Sequence, residues 1–172
     1  MARLVMKFGG TSMGDLERIR RAARIVAAEA ATGKKVAVVV SAMAGKTNEL
    51  VGWVEATSPL FDAREYDAVV ASGENVTAGL MALTLQEMDV PARSWQGWQV
   101  PLRTSSAHGS ARIESIDTTR LMKKFGEGLH AAGLRLGRRG PAVLDQLAGQ
   151  VTQDHALVRG AAAQTGALSW LG

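Results

Sequence analysis

An α/β fold with a parallel sheet is predicted from the order of three segments near the amino terminus. A short apolar run at residues 4–6 is followed by a glycine turn and then by a helical pattern. The run Val36 to Val40 then has the composition of a strand covered on both faces, because it shows no polar alternation. Strand, helix and strand in this order favour a right-handed parallel unit. The 172 residues are enough for one sizeable core.

The first turn, Lys7 to Ser12, is a candidate anion site. Its two glycines let the backbone bend and direct several N–H groups at one point, where a helix N-terminus adds positive potential. Lys7 ends the strand beside this turn, so its ammonium group is placed to neutralise phosphoryl oxygens during transfer. A second interpretation stays open, in which the glycines form only a tight turn and Lys7 is a solvated strand end.

The first helix is predicted from Asp15, which is placed to cap it, to about Ala31, and Thr32-Gly33 ends it. The second strand follows at residues 36–40. The loop that leaves this strand, residues 41–45, is expected at the same sheet edge as the glycine turn, because parallel strands end together. Ligands of open α/β sheets bind at that edge.

Further helices and one more strand are predicted from the middle of the chain. Thr47 or Asn48 is expected to cap a helix through residues 50–54. Two helical stretches follow, at about 63–72 and 76–85, and Gly73-Glu74 is expected at the entry of the second. A third strand with its turn is expected at 92–100, a polar loop at 104–112 and a short helix at 121–125.

Composition narrows the class of protein. The formal charge of +4 comes from thinly spread basic residues, and the densest group, residues 18–24, has the pattern of a solvated helix face, so no nucleic-acid partner is predicted. No apolar run approaches the roughly 20 residues of a membrane span, and the amino terminus enters the first strand at once. We therefore expect no membrane insertion and no signal peptide. The absence of cysteine agrees with a cytoplasmic protein.

Three further features bear on the chemistry. Gly45-Lys46-Thr47 matches the end of the P-loop pattern, but Val40 replaces the first glycine, so Lys7 is the preferred phosphate lysine. Glu74 is interpreted either as a carboxylate that meets a substrate amine or as an acidic residue that stabilises a helix N-terminus. His108 is interpreted as a loop residue, because no metal-ligand spacing or nucleophile accompanies it.

Four blocks of the sequence, in order, resemble aspartate kinase of the bacterial type: residues 7–12 (KFGGTS), 38–43 (VVVSAM), 71–74 (ASGE) and 104–113 (TSSAHGSARI). The similarity covers about residues 1–126, the first half of that family's catalytic domain. It implies a three-layer αβα amino acid kinase fold, carbamate kinase-like and here incomplete. It also implies phosphoryl transfer from ATP, with Mg²⁺ in the substrate complex, to the side-chain carboxylate of L-aspartate. The product, 4-phospho-L-aspartate, begins lysine, threonine and methionine synthesis.

The resemblance also implies roles for individual residues. Lys7 is the implied catalytic contact with the ATP phosphates. The implied phosphate cradle consists of Lys7, Phe8, Gly9, Gly10 and Ser41, and the implied aspartate-binding residues are Gly45, Lys46, Thr47, Asn48, Glu49 and Glu74. Because the attacking carboxylate is already ionised, the transfer requires cations and N–H donors but no general base. No metal site formed by the protein is implied.

After residue 126 the sequence departs from the family. Eight of the 19 glycines lie at or beyond Gly128, and the family's later nucleotide-binding segments and ACT domains have no counterpart. We predict that residues 1–126 form the N-terminal part of an amino acid kinase domain. Residues 127–172 are expected to form an atypical Gly/Ala/Arg-rich tail that lacks the next parallel strand. Weak or no activity is expected of a truncated chain of this kind.

Two rival hypotheses stay open. The first is another enzyme of the same fold, acting on glutamate, carbamate or a nucleoside monophosphate, although the blocks at 71–74 and 105–109 argue against it. The second is a non-catalytic remnant or subunit that binds a partner kinase chain. Association into a homo-oligomer is compatible with either activity or its absence.

Overall fold

Five parallel strands form the central sheet of the protein, whose computed structural model describes residues 2–100, 102–104, 113–132 and 156–160. Their spatial order is β3-β6-β2-β1-β7, and a separate antiparallel hairpin joins β4 and β5. In chain order the strands are β1 (Arg3–Phe8), β2 (Lys35–Val40), β3 (Ala92–Ser94), β4 (Leu102–Thr104), β5 (Ile113–Ile116), β6 (His130–Ala132) and β7 (Ala156–Gly160).

The helices of the described residues are α1 (Leu16–Ala31), α2 (Lys46–Thr57), α3 (Ala63–Glu87) and α4 (Thr119–Gly126). The predicted limits of α1 are confirmed: the Asp15 carboxylate accepts a hydrogen bond from the Arg18 N–H at 2.8 Å, and Gly33 adopts a φ of 83° just after the helix ends. β1 and β2 pair in parallel along their whole length. The predicted unit of strand, helix and parallel strand is therefore confirmed.

The sheet has a different covering on each face. On the first, which we call the helical face, α1 and α3 pack on alternate residues of β1 and β2, and the buried residues include Leu4, Met6, Phe8, Val36, Val38, Val40, Ile19, Met81 and Leu85. On the second, which we call the hairpin face, the β4-β5 hairpin and α4 supply the cover, and the buried residues are Val5, Val39, Trp95, Val100, Ile116, Leu121 and Phe125. β2 is thus buried on both faces, as its continuous apolar run predicts.

α3 is one continuous helix of 25 residues, so the prediction of two helices separated at Gly73-Glu74 is wrong. Gly73 serves packing: a Cβ at this position would lie 3.0 Å from the Ala42 Cβ and 3.3 Å from the Leu50 Cδ1. The missing side chain lets the helix approach the loop after β2. Glu74 consequently lies in mid-helix, and neither a helix entry nor a helix N-terminus explains it.

By length and composition alone α3 could cross a membrane, with a mean hydropathy of 1.3 over its most apolar 18 residues. The expectation that no segment approaches such a length therefore fails for α3. Its packing is that of a core helix, because one side is buried against α1, α2 and the sheet through residues such as Thr77, Met81 and Leu85.

Other predicted boundaries also need correction. α2 is capped by Gly45, whose φ is 81°, and not by Thr47 or Asn48. The strand expected at 92–100 has only three residues and is followed by a 3-10 turn at Gly97–Gln99. The short helix expected at 121–125 is confirmed as part of α4. Residues 105–112 of the expected polar loop, including His108, lie outside the described residues.

The prediction that the tail adds no parallel strand is wrong. β6 pairs in parallel with both β2 and β3, and β7 pairs in parallel with β1. The sequence signal for β6 is weak, because this strand is three residues long and contains no β-branched residue. Pairing with the long, buried strand β2 on one side and with β3 on the other determines its conformation.

Candidate active site

The loops that follow β1 and β2 lie side by side at the carboxyl edge of the sheet. The Ser41 N–H donates to the Phe8 carbonyl at 3.2 Å, which continues the pairing of the two strands into their loops. A Cβ at Gly10 would lie 3.3 Å from the Ala42 carbonyl oxygen, a tighter contact than side chains usually make. The expectation that the glycine turn and the second loop share one edge is therefore confirmed.

The first turn is held by its own backbone and by Arg18. Gly10–Met13 forms a 3-10 turn in which the Ser12 N–H donates to the Gly9 carbonyl at 2.9 Å. The Arg18 guanidinium donates to the Thr11 carbonyl at 2.6 Å and pairs with Asp15 at 3.4 Å. Among the described residues, the N–H groups of Gly10 and Thr11 donate to no other backbone group. Two donors of the turn thus stay available to an anion.

The 3-10 turn also changes the electrostatics expected at this corner. α1 begins only at Leu16, after the turn, and the Asp15 carboxylate caps its first residues. The positive end of α1 is therefore already met by an acidic side chain. The available N–H groups of the turn and the ammonium group of Lys7 remain as the positive features beside the glycines.

Lys7 lies at the penultimate position of β1, and its side chain is exposed. Side chains alternate along a strand, so Lys7 leaves the sheet on the same side as Val5, which belongs to the hairpin face. No ion pair or hydrogen bond engages its ammonium group within the described part of the chain. Phe8 differs, because its ring is 2% exposed in the core and only its backbone faces the edge.

The second loop leads into the positive end of a 12-residue helix. The Lys46 N–H donates to the Met43 carbonyl and the Glu49 N–H to the Gly45 carbonyl, both at 3.0 Å. The N–H groups of Thr47 and Asn48 have no backbone acceptor among the described residues, as is general for the first turn of a helix. The side chains of Lys46 and Glu49 form an ion pair at 2.6 Å on the surface.

α3 brings the third sequence block to the same place. Gly73 packs on Ala42 and Leu50, and the next residue, Glu74, is half-buried. The buried Thr77 hydroxyl donates to the Gly73 carbonyl at 3.1 Å, so its hydrogen bond is made within α3. Ala42 is thus in contact with Gly10 on one side and with Gly73 on the other. Blocks 7–12, 38–43 and 71–74 meet at one residue, whereas most of block 104–113 lies outside the described residues.

Two contributors were missed by the sequence analysis. Arg18 was expected only on a solvated helix face, yet it braces the first turn; its place three residues after the capping Asp15 is the signal that indicates it. Ala42 was not singled out, because an alanine carries no chemical signal of its own. Its role comes from two glycines, one near its carbonyl oxygen and the other near its Cβ.

His130 is the most deeply buried ionisable side chain among the described residues, and it lies away from this edge. It starts β6 at the amino end of the sheet, is 8% exposed, and its Nδ1 accepts the Val36 N–H at 3.1 Å. Burial, with a smaller contribution from the positive charge of Lys35, lowers the pKa of His130 below 6.5. Because Nδ1 accepts this hydrogen bond, the neutral form of the ring carries its proton on Nε2, and the histidine helps to join β6 to β2.

These observations agree with comparisons to known proteins. Residues 2–132 match the amino acid kinase family, and the chain belongs to that family. The aspartokinase of Rickettsia felis is 48% identical over 128 residues, which cover 73% of this chain and 32% of that protein. Aspartokinase 2 of Bacillus subtilis is 45% identical over 128 residues, which cover 74% of this chain and 31% of that protein. The chain thus spans about a third of the length of these relatives.

Solved structures show the same fold. An aspartate kinase from Synechocystis aligns with a TM-score of 0.70 and 31% identity over 90% of this chain and 28% of that one. Carbamate kinase from Giardia lamblia, bound to AMP-PNP, aligns with a TM-score of 0.64 and 11% identity over 91% of this chain and 70% of that one. The expected three-layer amino acid kinase fold is confirmed, and the chain contains part of it.

Proposed function

We propose that this chain forms the phosphate- and aspartate-binding part of an aspartate kinase. In the proposed reaction a side-chain carboxylate oxygen of L-aspartate attacks the γ-phosphorus of ATP, whose Mg²⁺ belongs to the substrate complex. The bond from that phosphorus to the bridging oxygen of ADP breaks, and the products are 4-phospho-L-aspartate and ADP. This is the first step of lysine, threonine and methionine synthesis, and we place it in the cytoplasm.

The observation that carries this proposal is the meeting of three sequence blocks at Ala42. Gly10 and Gly73 approach this residue closely, Lys7 lies on β1 before the first turn, and Glu74 follows Gly73 on α3. A cation and a carboxylate that are 67 positions apart in sequence thus belong to elements that meet at one residue, which supports a shared site. Transfer between two anions needs such a set of cations and N–H donors more than a strong base, because the attacking carboxylate is already ionised.

For the phosphate side of the site, we assign Lys7 to charge neutralisation. The available N–H groups of Gly10 and Thr11 support a cradle at the turn, and Gly9 and Ser41 belong to the same pair of loops. Phe8 contributes through its backbone, since its ring is buried. Arg18 is assigned a positioning role, because its guanidinium group binds the Thr11 carbonyl and so fixes the turn.

For the aspartate side, we assign the loop of Gly45, Lys46, Thr47, Asn48 and Glu49. The available N–H groups at the start of α2 and the positive end of this helix favour a carboxylate. Glu74 supplies the opposite charge and suits the substrate amine. When the substrate carboxylate binds, Lys46 either leaves Glu49 or binds Glu49 and the substrate together.

The relatives support this choice of substrates. The structure of E. coli aspartokinase III in complex with aspartate and ADP aligns with a TM-score of 0.61 and 23% identity over 74% of this chain. At this sequence identity the alignment supports only the fold. The aspartokinases with 45–48% identity support the choice of aspartate as the substrate. For domain organisation, we keep the division into a kinase part and an atypical tail. The family match to residue 132 and the strand β6 support a boundary slightly beyond 126.

The proposed activity is tested by an ATP- and aspartate-dependent hydroxamate assay on the purified chain. Lys7→Ala should lower turnover by a factor of about 100 or more, because a charged contact with the transferred group is lost. Arg21→Ala, which removes an exposed charge from α1, should change turnover by less than about twofold. Turnover that survives in Lys7→Ala would contradict the assignment of this lysine.

A second candidate function is association with a partner kinase chain or with a second copy, with or without activity. It is favoured by large apolar side chains on α2 and α3 that stay exposed: Trp53 is 58%, Val76 is 56% and Leu83 is 62% exposed. Size-exclusion chromatography with light scattering tests it. A monomer at micromolar concentration that turns over aspartate and ATP would exclude a purely structural role.

A further inference from the structure

A cavity of about 290 Å³ lies between β3, the 3-10 turn after it and α4. The side chains around it are Arg93, Trp95, Gln99, Arg120, Lys123 and Lys124. Its volume is at the small end of the range of about 300–1,000 Å³ that is common for small-molecule sites. The space therefore suits a small metabolite better than a macromolecule.

The cavity is separate from the phosphate cradle. Arg93 lies level with Ala131, Ala37 and Val5 across the sheet, so it is two residues short of the level of Lys7. β3 is also three strands away from β1, which corresponds to about 14 Å at the usual strand spacing. Ala92 belongs to the core of the helical face, so Arg93 projects from the opposite, hairpin face.

The charge around the cavity is strongly one-sided. Four of its six lining side chains are cations and none is a carboxylate. Lys124 pairs with Glu127 at 2.5 Å, whereas Arg93, Arg120 and Lys123 have no ion-pair partner among the described residues. Like charges that converge on one space repel one another unless an anion lies between them. This arrangement differs from α1, where Arg20 and Arg24 share Glu17.

The remaining two side chains indicate how a ligand would be recognised. Trp95 is 5% exposed and belongs to the core of the hairpin face, so it forms a rigid wall and offers no open ring face for stacking. The Gln99 Oε1 accepts the Gln96 N–H at 2.8 Å, which fixes the amide and leaves its NH₂ group as the donor. Recognition therefore depends on charge and N–H donors. The planar forks of the two guanidinium groups can each bind two oxygens of a phosphate or a carboxylate.

We propose that this cavity binds a small polyanion, a metabolite with phosphate or several carboxylate groups, at a site distinct from the phosphate cradle. The ligand lies between Arg93 on the sheet and Arg120 and Lys123 on α4. Its binding ties α4 to β3 and stiffens the cover of the hairpin face. The site adds to the proposed kinase activity and does not depend on it.

The experiment measures binding of pyrophosphate and of citrate to the full 172-residue chain by isothermal titration calorimetry at low ionic strength. The double variant Arg120→Gln/Lys123→Gln should weaken binding of the preferred anion at least tenfold. The control, Arg20→Gln/Arg21→Gln, removes the same charge from the exposed side of α1 and should change binding less than twofold. Because pyrophosphate also suits the phosphate cradle, the same comparison is made in the Lys7→Ala background. There the Arg120→Gln/Lys123→Gln change should still weaken binding at least tenfold, which separates the cavity from the cradle. Circular dichroism verifies that each variant is folded.

The two probes distinguish a phosphate ligand from a carboxylate ligand. Saturable one-to-one binding of either probe to the Lys7→Ala chain supports the site. Should the double variant not fold, Lys123→Gln alone, at an exposed position, should still weaken binding severalfold. The proposal is overturned by the absence of saturable binding, by equal weakening in both double variants, or by loss of binding in Lys7→Ala. Binding of a single-stranded oligonucleotide without binding of either small anion also overturns it, because the surface would then be a nucleic-acid site.

Discussion

The two faces of the central sheet are built from very different parts of the sequence. The helical face is covered by α1 and α3, two long helices whose apolar residues recur regularly, and sixteen of the described residues are buried there. The hairpin face is covered by β4, β5 and α4, all of them short, and seven of the described residues are buried there. Periodicity reveals the helical segments of both covers, α4 included, but it says little about β4 and β5, because three or four residues hold no readable period.

The difference matters for the candidate sites. The contact of Gly10, Ala42 and Gly73 joins the loops after β1 and β2 to α3, which covers the helical face, whose core is the larger one. The basic cavity at Arg93 and Arg120 belongs to the hairpin face, whose cover is thin. We expect changes in the first face to act on the whole fold and changes in the second to act mainly on local structure.

The largest expected effect compares two phenylalanines on opposite faces. Phe8→Ala should lower the free energy of unfolding by about 4 kcal/mol, because a fully buried ring on the central strand β1 leaves a cavity. Phe125→Ala should lower it by about 3 kcal/mol or less, since the eight-residue α4 can shift towards the space. Urea denaturation measures both. An equal or larger loss in Phe125→Ala would show that the hairpin face is the more cooperative one.

A smaller effect compares two glycines on α3. Gly73→Ala should destabilise the fold by about 1–2 kcal/mol and disturb the loop at Ala42, because overpacking outweighs the better helix propensity of alanine. Gly79→Ala is the matched control, with no atom within 4 Å of the new Cβ, and should stabilise by about 0.5–1 kcal/mol. Thermal unfolding measures the stability of both variants. If Gly73→Ala were as stable as Gly79→Ala, close packing at Ala42 would not explain this glycine.

His130 makes the junction of β6 and β2 sensitive to pH. Its pKa in the folded state lies below the ordinary value of 6.5 that it has in the unfolded chain. At a pH between these two pKa values the unfolded chain binds more protons than the folded chain, so stability rises with pH there. The contribution of this residue is complete above pH 6.5 and is lost as the pH falls through the folded pKa. The free energy of unfolding, measured between pH 8 and pH 5, should therefore fall on acidification.

His130→Asn tests this assignment, because an amide oxygen can accept the Val36 N–H without titrating in that range. The pH dependence of stability should become flatter in this variant. If His130→Asn kept the full pH dependence of the free energy of unfolding, other titrating groups would be its cause.

The smallest effect is expected at the surface ion pair of α2. Lys46 and Glu49 are both exposed by more than two fifths, so Glu49→Gln should change the free energy of unfolding by less than about 0.5 kcal/mol. A change of the KM for aspartate at unchanged stability would place this pair in the substrate loop. A loss of more than 1 kcal/mol would instead give the pair a structural role.

The parts of the fold that could be predicted are those with local signals. The caps of α1, the buried run of β2 and the turn at Gly9 to Gly10 each carry their own chemistry, and all three are in place. The break expected at Gly73 was wrong, because glycine is ambiguous in sequence: it ends a helix or lets it approach a neighbour. Only the neighbours, Ala42 and Leu50, decide between these possibilities.

By itself the sequence determined the α/β class, the order of β1, α1 and β2, and the residue types of a phosphate corner, because these depend on local propensity and on apolar patterning. Tertiary structure alone decided that Gly10 and Gly73 meet at Ala42, that β6 completes the sheet between β2 and β3, and that four cations surround one cavity. These features join residues that are dozens of positions apart. The energies of these features come from contacts between residues that are distant in sequence, and no local sequence pattern encodes such contacts.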